Sequence, residues 1–146
     1  MNGLAIEPRY AVLLSEQVDP AHFTVTRQLM RYANYKPYLH KTTRHVRNMI
    51  HSVDDKPAVI RCYPTDKTLK SCQWYKYDVV HRDNDRPSDY FHYMSRMAWC
   101  RNGDLHRDGD RPAVMNTDSG RCTWYRHGIL HRDGGRPADI GMMHGY

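Results

Sequence analysis

Several residue types and patterns are scarce in this 146-residue chain, and each scarcity excludes something. Phenylalanine occurs twice, so a deep core of benzyl rings is excluded. The 11 tyrosines and 3 tryptophans that stand instead are amphipathic rings, suited to a thin core under a sheet with one wet face. No stretch approaches the ~20 apolar residues of a membrane-spanning helix. Met1-Asn2-Gly3-Leu4-Ala5-Ile6-Glu7 sets an acid ahead of any apolar run and has no basic start. It does not read as a secretion signal, and the cytoplasm is the expected compartment. The four cysteines, Cys62, Cys72, Cys100 and Cys122, form no Cys-x-x-Cys pair, which leaves zinc and redox motifs without support. Free thiols at strand positions are expected.

What is present is unevenly spread. The formal net charge is +6. Residues 1–50 hold seven Lys/Arg against three Asp/Glu, whereas residues 51–146 hold fifteen against thirteen. An electrostatic partner therefore meets the N-terminal third first.

The dominant pattern is a repeat. Ile50-His51-Ser52-Val53-Asp54-Asp55-Lys56-Pro57 aligns with Val80-His81-Arg82-Asp83-Asn84-Asp85-Arg86-Pro87. Leu105-His106-Arg107-Asp108-Gly109-Asp110-Arg111-Pro112 and Leu130-His131-Arg132-Asp133-Gly134-Gly135-Arg136-Pro137 follow. The histidines are 30, 25 and 25 residues apart, and each proline comes six after its histidine. Seven residues before the histidine stands Trp74, Trp99 or Trp124, with Arg44 in the first copy. That worn front end is typical of a terminal repeat. Within a unit, Trp124-Tyr125-Arg126-His127-Gly128-Ile129-Leu130 reads as strand, turn and strand, and Asn102-Gly103 is a strong two-residue hairpin signal. The Asp-Gly-Asp-Arg-Pro segment is a second turn, whose proline stops the ladder. Tyr77-Asp78 lacks the turn glycine, so a longer or distorted hairpin is expected there. Each unit supplies about two strands and buries its face only against its neighbours.

These units, at 74–87, 99–112 and 124–137, resemble the variant MORN-type repeat, Trp-Tyr-x-Asn-Gly-x-Leu-His-Arg-x-x-Gly-Pro-Ala, of phage and large-virus proteins. The resemblance covers about 44–140. It implies an antiparallel hairpin array serving as a scaffold for protein or lipid contacts, and it implies no catalytic residues. It also implies a phage or viral source, a host cytoplasm, and a role in binding or inhibiting a host protein.

Sharper chemical readings compete with structural ones. His-Arg-Asp recurs at 81–83, 106–108 and 131–133, but a kinase catalytic loop needs a following Asn, a Gly-rich loop and far more chain. A ladder of His51, His81, His106 and His131 beside Asp83, Asp108 and Asp133 offers metal-ligating types, the basis of a metal-dependent hydrolase reading. Zinc needs three or four ligands converging on one point, and a stacked ladder spaces equivalent atoms at least ~4.8 Å apart. The preferred reading makes these residues, with Arg86, Arg111, Arg136, Trp74 and Trp124, structural: Asp caps its own turn, an arginine pairs with it, and His sits against the neighbouring tryptophan. Cys72 and Cys122, each two before a tryptophan, share its face by period-two alternation, where burial quiets a thiol. No catalytic residue, metal or cofactor is assigned.

The N-terminal segment differs. Asp19-Pro20 is a helix-start pair, and Val25, Leu29, Tyr32 and Ala33 fall on one helical face. An amphipathic helix over 20–35 is expected to cap the sheet. Before it, Tyr10–Leu14 reads as a strand or a short buried segment. Arg27, Arg31, Lys36, Lys41, Arg44 and Arg47 come with no acid between them, interleaved with rings such as Tyr35 and Tyr38. That combination suits a phosphate backbone with unstacked bases, and equally an acidic protein or lipid surface or a solvated face.

The expected architecture is mainly β, α+β overall: a cap at 1–43 and hairpin repeats at 44–146, centred on about 44–60, 74–90, 99–115 and 124–140. The expected function is non-catalytic recognition of a macromolecule, foremost a host protein. Tyr75, Trp99, Tyr125 and Arg126 are the candidate anchors on the repeat face, because Trp, Tyr and Arg dominate binding hot spots. Nucleic-acid binding through 27–47 is the alternative.

Overall fold

The computed structural model describes residues 10–19, 23–31, 38–63 and 68–141. Their architecture is a single antiparallel meander, and it starts with three long strands, β1 (Tyr10–Asp19), β2 (Phe23–Arg31) and β3 (Tyr38–Val46). β4 (Met49–Ile50) folds back on β3, and β5 (Val59–Cys62) and β6 (Leu69–Gln73) extend the sheet. From here the chain alternates between sheet and side hairpin. β7 (Tyr75–Lys76) pairs with β8 (Val79–Val80), and β9 (Asp89–Phe91) and β10 (Arg96–Ala98) rejoin the sheet. The cycle repeats as hairpin β11 (Cys100–Arg101) and β12 (Asp104–Leu105), then sheet strands β13 (Val114–Asn116) and β14 (Cys122–Thr123). Hairpin β15 (Tyr125–Arg126) and β16 (Ile129–Leu130) and the last strand, β17 (Asp139–Ile140), close it. The large sheet has eleven strands in the order β1-β2-β3-β5-β6-β9-β10-β13-β14-β17, with β4 attached to β3.

Local chemistry explains the alternation. Each hairpin closes by a bond from the histidine N–H to the carbonyl seven residues earlier: His51 to Arg44, His81 to Trp74, His106 to Trp99 and His131 to Trp124, at 3.0–3.1 Å. Both turn residues have positive φ in every copy: Arg47 51° and Asn48 64°, Tyr77 50° and Asp78 64°, Asn102 52° and Gly103 91°, His127 50° and Gly128 76°. That is the turn whose twist matches the flanking strands. The distortion expected at Tyr77-Asp78 does not occur. Asp78 tolerates φ > 0, and its carboxylate accepts a 2.7 Å bond from the Ile50 N–H of the preceding hairpin.

The core is one residue thick. Pairing places Ile60, Cys72, Tyr90, Met97, Met115, Cys122 and Ile140 in one row across the sheet, one per strand. Two residues along from this row, on its face, lie the buried Trp74, Trp99 and Trp124. Fully buried small residues, Ala58, Ser88 and Ala113, accommodate them where the sheet resumes. The backbone N–H groups of the tryptophans bond to the carbonyls there, Arg44 standing in for the first: Arg44 to Ala58, Trp74 to Ser88, Trp99 to Ala113 and Trp124 to Ala138, at 2.7–2.8 Å.

The helix expected over 20–35 is corrected. Residues 23–31 are strand β2, paired along its length with β1 and β3, while 20–22 and 32–37 lie outside the described residues. The physical reason is visible in Thr24-Val25-Thr26. This β-branched run suits an extended backbone, and Val25 is buried opposite Arg44. A sheet that offers unpaired backbone at β3 takes such a segment as another strand. No helix occurs among the described residues, and none there is long and apolar enough to cross a membrane. β3 runs through the 43/44 division, and Tyr10–Leu14 opens β1.

Because each tryptophan supplies a large part of the buried apolar area of its unit, Trp99→Ala is expected to cost about 3–5 kcal/mol. Urea unfolding should show this, with Tyr93→Ala, at an 80% exposed turn ring, staying within about 0.5 kcal/mol of the parent. A loss below 1 kcal/mol at Trp99 would show that the tryptophans do not hold the array.

Candidate functional site

The repeated polar residues build the joints between neighbouring hairpins. His51, His81 and His106 each lie beneath the turn of the next unit. His51 Nδ1 accepts from the Tyr77 N–H, His81 Nδ1 from Asn102 and His106 Nδ1 from His127, each at 3.2 Å. An accepting Nδ1 leaves the proton on Nε2, and Nε2 donates to the aspartate two residues on: His81 to Asp83 and His131 to Asp133 at 2.8 Å, His106 to Asp108 at 2.9 Å. Beside each histidine a carbonyl receives the second turn N–H of the next hairpin: Ile50 from Asp78, Val80 from Gly103, Leu105 from Gly128, at 2.9–3.0 Å. Two adjacent acceptors thus hold two adjacent donors at every joint. The expectation that histidine packs on the neighbouring tryptophan is corrected: its ring lies against the next turn, 4.3 Å between centroids for His51–Tyr77 and His106–His127.

The tryptophan is covered by the arginine after the histidine. Arg82, Arg107 and Arg132 stack 3.8 Å from the rings of Trp74, Trp99 and Trp124. The same guanidinium reaches back one unit to grip a carboxylate with two donors: Arg82 on Asp55, Arg107 on Asp85, Arg132 on Asp110, at 2.8–3.0 Å. It also donates to the proline carbonyl five residues on, Pro87, Pro112 or Pro137. The second arginine of the unit, Arg86, Arg111 or Arg136, pairs with the same carboxylate. It is therefore not bound to an aspartate side chain of its own unit, as expected, although Arg111 and Arg136 do donate to the backbone carbonyls of Asp108 and Asp133. Trp74 and Trp99 donate Nε1–H to the carbonyls of Asp55 and Asp85. Trp124 Nε1 is buried with no partner among the described residues. There Asp110 lacks the positive φ of Asp55 and Asp85.

Both terminal copies lack half of this clamp. The first has Asp55 but Ser52 and Lys56 in place of the two arginines, and the last has Arg132 and Arg136 but Gly135 in place of the aspartate. The arginine at His+1 and the aspartate at His+4 were not singled out in the sequence as a pair. The signal that finds them is their offset by one copy.

Electrostatics follow this geometry. The hydrogen bond from Arg82, Arg107 or Arg132 holds the carboxyls of Asp55, Asp85 and Asp110 below their ordinary value. The hydrogen bond from its histidine does the same for Asp83, Asp108 and Asp133. Burial, and then Lys76, lowers His51. Burial raises the Cys72 and Cys100 thiols, and all four cysteines are free. No group of three or more potential metal ligands converges among the described residues.

The proposed anchors are placed unequally. Trp99 is 7% exposed beneath Arg107, so it is a packing residue and not an exposed ring. Tyr75 and Tyr125 are half-buried, and Arg126 is exposed and paired with Asp133 at 3.3 Å. Of the basic segment, Lys36 and Tyr35 lie outside the described residues, and Arg31 and Tyr38 are described as strand backbone. Arg27 pairs across from Thr42, and Lys41 from Gln28, which puts the two cations on opposite faces. Arg44 donates to the Pro57 carbonyl at 2.6 Å, and Arg47 is in the first turn. No known protein family, curated protein or solved structure matches the chain.

The clamp and His51 define a pH response. Carboxyls held low when folded stabilise above their unfolded value of about 4, and that stability is lost as pH falls through the lower folded value. His51, also held low, stabilises above about 6.5 and loses its contribution below it. Thermal stability should therefore fall in two stages on acidification. His51→Gln should shrink the upper stage and Asp85→Asn the lower one. An unchanged midpoint between neutral pH and pH ~5.5 would refute the histidine assignment.

Proposed function

We propose that the protein is a non-catalytic interaction protein that presents its hairpin array to another macromolecule, foremost a protein. The observation that carries this reading is a division of labour. The histidines, aspartates and arginines that recur with the unit are engaged in the joints between units. Several large apolar or aromatic side chains are left in solvent: Tyr77, Val79, Tyr93, Met94, Ile129, Leu130 and Ile140. Contiguous exposed apolar side chains mark contact surfaces, and Ile129 and Leu130 adjoin on β16. The MORN-like resemblance adds a scaffold role and a phage or viral setting, in which the partner is a host protein in the host cytoplasm. That step is analogy at the level of fold.

Affinity capture from host lysate with the tagged full chain, with and without nuclease and at two salt concentrations, tests the reading. A stoichiometric protein partner surviving nuclease and ~0.5 M salt is expected, because that salt screens exposed charge pairs. Nucleic acid alone, lost on either treatment, would move the function to Arg27, Lys41, Arg44 and Arg47 and sink the protein-binding reading.

A further inference from the structure

The units can be compared position by position, and the first departs from the others at one polar pair. In the later units the aspartate two residues after the histidine accepts from its Nε2–H: Asp83, Asp108 and Asp133. A cation seven residues before that aspartate stands beside it. Arg101 pairs with Asp108 and Arg126 with Asp133, and the charge of Lys76 helps to hold Asp83 low. The first unit has valine at both places, Val53 for the aspartate and Val46 for the cation. His51 still accepts the Tyr77 N–H on Nδ1, so its proton is on Nε2. No described residue accepts from that N–H. The exchange also widens the joint. The notch between the first and second hairpins has a volume of about 370 Å³, against about 100 and 60 Å³ for its counterparts at the next two joints. Asp83 and Asp108, each from the earlier unit of its joint, line those counterparts, and Val53 does not line the first notch. Ser52 stands there in place of the longer Arg82 and Arg107.

Three donors line the widened notch: the His51 Nε2–H, the Ser52 hydroxyl and the Lys76 ammonium. Ser52 Oγ already accepts the Tyr75 N–H at 3.1 Å, so its own hydrogen is left to donate. Lys76 is exposed and has no ion pair among the described residues. It stands close enough to His51 to lower it, second only to burial. The two carboxylates in the notch are committed elsewhere, Asp55 to Arg82 and Arg86 and Asp83 to His81. The first unit has thus lost one acceptor of the repeated set and kept the donors, which leaves them to be satisfied from outside. We infer that the notch between the first and second hairpins binds a carboxylate carried by an acidic side chain of a partner protein. The inference rests on the interaction reading above and gives it a location. The carboxylate takes the place that Asp83, Asp108 and Asp133 hold in the later units, accepting from His51 Nε2–H and Lys76, with Ser52 as third donor. A carboxylate is named because the chain sets one on each of its other three repeat histidines, at 2.8–2.9 Å. A protein is named as its source because the site is open: the later aspartates are 69%, 58% and 72% exposed. Charge pairs that exposed are weak alone. A partner surface adds apolar contact with Tyr77, which lies 4.3 Å from the His51 ring, and with Val79, which pairs with Lys76. Both side chains are exposed.

The test titrates the isotopically labelled full chain at neutral pH and constant ionic strength. The probes are acetate, inorganic phosphate and a capped Gly-Glu-Gly peptide. Saturable chemical-shift changes at the His51 side chain, Ser52 and Lys76 are expected with the peptide and with acetate, at millimolar concentration. Lys76→Gln should weaken both by about tenfold, the loss of one charge-assisted bond. Val53→Asp supplies from within the carboxylate that the later units have, and should abolish both, with unchanged shifts at Val114 and Thr123 showing that the fold is kept. No saturable shifts, binding undiminished in Val53→Asp, or a preference for phosphate overturns the inference. Acetate bound with the peptide excluded would make a free small acid the ligand, and also overturns it. So does a His51 Nε2–H found hydrogen-bonded before any probe is added, which would make another part of this chain the occupant. If a lysate partner is retained undiminished by Val53→Asp and Lys76→Gln, the interaction reading stands and this site falls.

Discussion

The guanidinium laid on the tryptophan is the contact on which the rest of the array depends. A two-residue hairpin is marginal in water, and a single-layer sheet has no second layer to bury its face. Arg107 solves both problems: it covers Trp99 at 3.8 Å, grips Asp85 of the previous unit with two donors and donates to the Pro112 carbonyl. A lysine would supply charge but neither the flat stacking surface nor the fork. Without this contact the indole would be left facing water and the carboxylate of the previous unit would keep only the second arginine.

The joint has a direction. Each unit receives from the one before through two arginines and two turn N–H groups, and offers the next a carboxylate, a carbonyl and an imidazole nitrogen. The worn copies make sense in these terms. Ser52 and Lys56 remove the two arginines at the front, while His51 and Asp55 keep the offering half intact. At the back, Arg132 and Arg136 still receive, while Gly135 removes only the carboxylate and leaves the backbone acceptor and His131.

The repeat and its turns were readable in the order of residues, because spacing alone brings His, Asp and Arg to the same place in every copy. The partners of those residues were not. Asp108 was expected to cap a turn and instead accepts from His106, and Arg111 was expected to bond its own unit's aspartate side chain and instead pairs with Asp85. Such cross-unit pairs come from stacking, and one unit's sequence does not contain them. Trp99 read as an anchor because its type dominates interfaces, yet Arg107 covers it. The Val25–Leu29 spacing satisfied a helix, but a waiting strand edge at β3 outweighed a local periodicity that Thr24, Val25 and Thr26 already contradicted.

Sequence by itself therefore determined the unit: where its tryptophan, hairpin turn, histidine and proline fall, since these depend on short-range backbone preference and alternation. Only the tertiary structure decided which atoms join one unit to the next and which rings remain in solvent, because each depends on the register between segments 20 to 30 residues apart in the chain.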